Sequence, residues 1–294
     1  MAGYLFRFRY YCHYTVRMKH HLYITCSIAF VVLLVIVSVF AIRSRLIHKQ
    51  IYTGTLVSLG DSVAAGDGLP ESSGSLAASC HQSVQAYPYL VASDLNLKLD
   101  QFACSGALTT TGILQPQTVG QQIITAQLAA ATPYIRNSDV VITIGANDID
   151  WSSFLITCAR TNCQTAANRT LLQMRLANLQ TNLDSLLGKL ALLHPHEVLL
   201  NTYYSIINNS DTCLQQFGVS QNSITWVNSS EANLNNTIVS AAKIYHDRYT
   251  TITFAGHGLC SSDPWVQGLS ATAPLHPTYE GQYNISTIDE AMLR

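Results

Sequence analysis

Apolar residues gather in short runs bounded by turn formers at Thr55 to Leu59, Val140 to Ile144, Val198 to Thr202 and Thr251 to Phe254, with a weaker run at Leu99 to Ala103. Runs of this length with no polar alternation predict strands buried on both faces. Between them, apolar positions recur with helical spacing in Tyr87 to Leu97, Gln121 to Ala131, Thr170 to Leu193, Asn233 to Tyr249 and Tyr279 to Leu293. Strands alternating with helices predict an α/β domain whose parallel sheet is covered on both faces, with a ligand crevice at the carboxyl ends of the strands. Asp67 to Ala78 and Trp151 to Asn168 are expected as loops that line the pocket.

One segment breaks this pattern. Leu22 to Ile42 carries no charge over 21 residues, and about 20 apolar residues span a bilayer as a helix. The expected organisation is a basic tail over 1–21, a transmembrane or signal-anchor helix over 22–42, a linker over 43–53 and one globular domain over 54–294. Arg7, Arg9, Arg17 and Lys19 precede the span while Arg43, Arg45 and Lys49 follow it, so the positive-inside rule favours a cytoplasmic N-terminus only slightly. The run exceeds a signal-peptide core of about 7–15 residues, which favours an uncleaved anchor. Val39-Phe40-Ala41 keeps cleavage and secretion open as the alternative.

Composition narrows the function. A net charge of -1 with only 11% charged residues offers no field for nucleic acid. Of eight cysteines, Cys12 and Cys26 lie in the tail and the span. The other six, Cys80, Cys104, Cys158, Cys163, Cys213 and Cys260, form no CxxC pair and suggest disulfides in an oxidising compartment. The domain after the span is therefore expected outside the cytosol. Asn168, Asn208, Asn228, Asn235 and Asn284 begin glycosylation sequons, a pattern that arises easily by chance.

Four short blocks carry candidate chemistry. Gly60-Asp61-Ser62 follows the first strand, where a strand-to-helix turn presents a hydroxyl near free N–H groups; read alone, Asp-Ser is also a common helix cap. Gly145-Ala146-Asn147-Asp148 follows another strand, and its amide can donate to a developing oxyanion, although a plain Gly-Asn turn has the same sequence. Cys104-Ser105-Gly106-Ala107 supplies a glycine N–H for the same purpose, or is merely a small-residue loop beside a disulfide. Leu275-His276-Pro277 precedes the last helix and offers an imidazole base. His13, His20, His21 and His48 flank the apolar span, and His194 and His196 sit in a loop ahead of a strand.

Gly60-Asp61-Ser62, Gly106, Gly145-x-Asn147-Asp148 and His276-Pro277 stand in the order and approximate spacing of the SGNH (GDSL-like) hydrolases, and the chain from about Leu56 onward resembles that family. Gly60 to Gly68, Cys80 with Ala86-Tyr87-Pro88, Gly256-His257-x-Leu259-Cys260 and Pro264-Trp265 resemble its secreted actinobacterial esterase branch. The resemblance implies a three-layer α/β/α sandwich with a flavodoxin-like sheet. It also implies hydrolysis of carboxylic esters. A small-molecule or lipid ester as substrate, no metal or organic cofactor, and a monomeric state are the accompanying expectations. The resemblance makes Ser62 the nucleophile and His276 the base, with Ser62 N–H, Gly106 N–H and the Asn147 amide holding the oxyanion. It further implies the pairs Cys80–Cys104, Cys158–Cys163 and Cys213–Cys260. Where most of the family has an aspartate three residues before the histidine, this chain has Ala273. In that branch a backbone carbonyl takes over, here that of Ala273, with the Asp263 carboxylate as the rival. Asp61 and Asp148 are expected to hold loops, and His257 to be structural. A carbohydrate O-acetylesterase and a non-catalytic surface binding module are the competing functions.

Overall fold

A computed structural model describes residues 54–208 and 211–294 of the chain. The tail, the apolar span and the linker expected over 1–53 lie outside the described residues. Among the described residues no helix is long and apolar enough to cross a membrane.

The sheet has five strands in the order β2-β1-β5-β6-β7, all parallel. In chain order the elements begin with β1 (Thr55–Gly60), the single-turn helix α1 (Ser62–Ala65), α2 (Ser75–Ser79), α3 (Tyr87–Asp94) and β2 (Lys98–Gln101). A hairpin of β3 (Gln117–Val119) and β4 (Gln122–Ile124) leads into α4 (Gln127–Ile135) and β5 (Asp139–Thr143). Then come α5 (Trp151–Arg160), α6 (Ala166–Ala191), β6 (Glu197–Asn201), α7 (Gln221–Tyr245), β7 (Arg248–Thr250) and α8 (Tyr279–Leu293). Successive residues of β1, β5 and β6 are buried without alternation, so both faces of the central strands are covered. The helices pair, α6 on α7 and α3 on α8.

Four expectations need correction. The helix expected over Asn233 to Tyr249 runs from Gln221 to Tyr245, because Ser220 caps its start by accepting from Ser223 N–H at 3.1 Å and Tyr249 belongs to β7. The apolar stretch Thr251 to Phe254 lies beyond the edge strand, because pairing of Leu199 with Arg248 starts β7 earlier. Ile252 and Phe254 are buried instead in the loop that leaves the sheet, where Ile252 N–H donates to Thr202 Oγ1 at 3.0 Å. The helix expected over Gln121 to Ala131 starts at Gln127, because Gly120 turns the chain at φ +59° and Thr118 pairs with Ile123. Trp151 to Arg160, expected as loop, is the helix α5, its end closed by the Cys158–Cys163 disulfide.

Candidate active site

At the end of β1 the chain turns sharply through Gly60 at φ +145°. A Cβ there would stand 2.3 Å from the Thr143 carbonyl oxygen, so the turn admits only glycine. Gln127 at the start of α4 clamps this residue from both sides: Gly60 N–H donates to Oε1 at 2.8 Å, and Nε2 donates to the Gly60 carbonyl at 2.9 Å. Asp61 N–H donates to the Thr143 carbonyl at 3.0 Å, which ties the turn to the end of β5. The Asp61 carboxylate caps α1 by accepting from Val63 N–H at 2.9 Å. Its other oxygen accepts from the Tyr203 hydroxyl. Burial pushes the Asp61 carboxyl up to about 7, against the lowering effect of these hydrogen bonds. Ser62 is thus presented at the carboxyl edge of the sheet by a fully bonded turn.

His276 reaches the same point from a loop 214 residues later in the chain, and its Nε2 lies 2.7 Å from Ser62 Oγ. Its own Nδ1 faces the Pro274 carbonyl at 3.2 Å. The carbonyl expected there, that of Ala273, is engaged instead by the His276 backbone N–H at 3.3 Å. Leu275 between them adopts φ +69°, a left-handed conformation that turns the imidazole toward the Pro274 oxygen. The rival acid, Asp263, lies 3.3 Å from His257, whose Nδ1 also meets the Asp263 carbonyl at 2.8 Å. The His257 ring stacks on Trp265 at 3.7 Å, in keeping with a structural role.

The Asn147 turn lies past β5. Asn147 Nδ2 donates to the Ala107 carbonyl at 2.9 Å, which leaves its second hydrogen for another acceptor. Asp148 accepts from Thr109 N–H at 3.0 Å and from Thr109 Oγ1 at 3.2 Å. These bonds fasten the Asn147 turn to the loop after Cys104. Gly106 stands exposed on that loop at φ +76°. Cys104 N–H donates to the Gly60 carbonyl at 3.1 Å, and Cys104 is bonded to Cys80. The other two pairs, Cys158–Cys163 and Cys213–Cys260, are also formed.

Ser62, Asn147 and His276 line one cavity of about 670 Å³, whose remaining wall is largely apolar and includes Trp151, Leu155, Ile207, Leu214, Ile224 and Leu234. Gly106 is outside its lining. Glu231 is among the polar residues of its wall; it accepts from Ser205 Oγ at 3.0 Å, and burial pushes its carboxyl up to about 7. Among the described residues no group of three or more His, Cys, Asp or Glu side chains forms a metal site.

Residues 58–283 match the GDSL-like Lipase/Acylhydrolase family. The chain belongs to that family. It is 29% identical over 259 residues to a lipase of Streptomyces rimosus, covering 83% of this chain and 88% of that protein. It is 29% identical over 248 residues to Lipase 1 of Streptomyces coelicolor, covering 77% and 81%. Among solved structures it resembles the extracellular lipase from Streptomyces rimosus, with a TM-score of 0.64 and 25% identity over 81% of this chain and 98% of that one. It likewise resembles phospholipase A1 from Streptomyces albidoflavus, with a TM-score of 0.65, 26% identity and the same coverage. The protein is accordingly an ester hydrolase.

Several residues that build this family member's site gave no signal in the sequence. Gln127 and Tyr203 belong to no recognisable motif and meet the Ser62 turn only through the fold, from 67 and 142 positions away. Gln267 does the same for the histidine loop: its N–H donates to the His276 carbonyl at 2.7 Å, and its Nε2 reaches the Asp67 carbonyl at 2.9 Å. Polar residues inside otherwise apolar stretches were the only available hint, since a buried amide or phenol must find partners.

Proposed function

We propose that the protein cleaves carboxylic esters with medium to long acyl chains, through an acyl-enzyme on Ser62 with His276 as general base. The observation that carries this reading is the 2.7 Å contact between Nε2 and Oγ at the mouth of a large apolar cavity. Ser62 Oγ attacks the ester carbonyl carbon as its proton passes to His276 Nε2. The carbonyl oxygen becomes an oxyanion, held by Ser62 N–H, Gly106 N–H and the second hydrogen of Asn147 Nδ2. Collapse expels the alcohol, which takes the proton from Nε2. Water then attacks the acyl-enzyme with His276 as base again.

The Pro274 carbonyl keeps the proton on Nδ1 and orients the ring, which leaves Nε2 as the acceptor facing Ser62. A carbonyl in this place stabilises the imidazolium less than a carboxylate does. The cavity favours acyl chains over sugar acetates, because each buried methylene gains about 0.8 kcal/mol and an acetyl group leaves the apolar wall unused. Three disulfides support a catalytic domain outside the cytosol. It is either tethered through the span over 22–42 or released by cleavage.

The test is a panel of p-nitrophenyl esters, acetylated xylan and phospholipid offered to the full-length protein. The decanoate should exceed the acetate in kcat/KM by about tenfold or more, and Ser62→Ala should lower turnover by about a thousandfold or more. A Ser62→Ala protein with wild-type turnover would refute the nucleophile. Preference for acetylated xylan would replace the acyl-chain reading with a carbohydrate esterase.

A further inference from the structure

Tyr203 is the first residue but one beyond β6, and its hydroxyl joins two turns that come from different strands. It donates to the Asp61 carboxylate, whose other oxygen caps the turn that presents Ser62. The same hydroxyl oxygen accepts from Ala146 N–H at 3.1 Å, one residue before Asn147. The backbone of Tyr203 is itself pinned by Asn235 of α7: Tyr203 N–H donates to Oδ1, and Nδ2 donates to the Tyr203 carbonyl, both at 2.8 Å. A single phenol oxygen therefore links the ends of β1, β5 and β6, and it is anchored to a helix rather than floating between loops. Neither Asp61 nor Ala146 has another side chain as partner in this link. The ring also forms part of the cavity wall beside Ser62.

We propose that Tyr203 is a positioning residue that locks the Ser62 turn to the Asn147 turn, so that the amide meets the oxyanion at the distance set by the nucleophile. The lock deepens the reading of the site given above and rests on it. A donor displaced by about 1 Å from a developing charge forfeits about a hundredfold in rate without weakening ground-state binding. Loss of the hydroxyl is therefore felt in kcat and not in KM, and it acts through Asn147.

The experiment is a double-mutant cycle of Tyr203→Phe and Asn147→Ala on p-nitrophenyl decanoate in the full-length protein, with melting temperatures and Ser62→Ala alongside. Tyr203→Phe should lower kcat by about tenfold to a hundredfold with KM within about twofold. The double variant should fall no more than about threefold below Asn147→Ala alone. Asp61→Asn keeps an acceptor for Val63 N–H and replaces the oxygen that accepts from Tyr203 with an amide donor. It is the second variant should Tyr203→Phe not fold, and it should show the same loss confined to kcat. Wild-type kcat in either folded variant, a loss carried by KM, or losses that multiply in the double variant would each overturn the lock. If Ser62→Ala stays active while Tyr203→Phe does not, the nucleophile assignment fails on its own. An inactive Ser62→Ala beside a fully active Tyr203→Phe condemns the lock alone.

Discussion

The two halves of the site are held in different ways. The Ser62 turn is locked into the sheet: Gly60 has no room for a Cβ, and Gln127, Thr143 and Tyr203 occupy its polar groups from three other elements. The His276 arm is a loop. Its ring rests on the Pro274 carbonyl two residues away, and its backbone is strapped by Gln267 and by the Tyr204 hydroxyl, which donates to the Leu275 carbonyl at 2.9 Å. The Ser62 and Asn147 turns, fixed to the sheet, thus face an imidazole carried on a strapped loop. In the proposed reaction, geometry that must be correct to fractions of an ångström sits on the sheet, while the group that accepts and returns a proton sits where small adjustments cost least.

The largest break in that contrast comes from Gly60→Ala. The new methyl meets the Thr143 carbonyl, and the backbone must leave φ +145°. Destabilisation of about 3 kcal/mol or more and a kcat loss of at least about a hundredfold are expected, read by thermal melting and by decanoate hydrolysis. A stable, active Gly60→Ala protein would mean that the turn is not rigid.

A smaller effect sharpens the contrast through pH. Burial pushes the carboxyls of Asp61 and of Glu231 on α7 up to about 7, and that of Asp289 on α8, which accepts from Asn201 at the end of β6 at 2.8 Å, up to about 8. Each folded value lies above the unfolded one. Their stabilisation is therefore complete below pH 4 and is lost as the pH rises through 7 to 8. The melting temperature should fall by about 5 °C or more between pH 5 and pH 8.5, and Asp289→Asn should flatten the slope. A melting temperature that climbs steadily over that range would contradict the assignment.

Legibility in the sequence followed the same division. The continuous apolar runs of β1, β5 and β6 located the central strands to within a residue or so. α8 took the expected bounds because Thr278 caps it, accepting from Gly281 N–H at 3.3 Å. Ser62 and Asn147 were readable because each sits in a short glycine-led turn directly after such a strand. His276 was readable only through the family's order of motifs, since nothing local distinguishes a His-Pro turn from a base. The carbonyl that faces His276 Nδ1 is that of Pro274, one residue beyond the expected Ala273. Which of two adjacent carbonyls faces Nδ1 depends on the left-handed Leu275, a dihedral that composition does not reveal. The β3–β4 hairpin and α5 were missed for a related reason. Their apolar side chains, such as Ile123 and Ile156, are exposed, so periodicity there does not report burial.

The central claim, that a histidine loop activates a serine fixed in the sheet, is tested most directly by the rate at which a fluorophosphonate probe labels Ser62 in wild-type and His276→Ala proteins. Wild-type labelling should be confined to Ser62, and the rate should drop by about a thousandfold or more when the imidazole is removed from a protein that still folds. Equal labelling rates in the two proteins, or labelling at another residue, would contradict it.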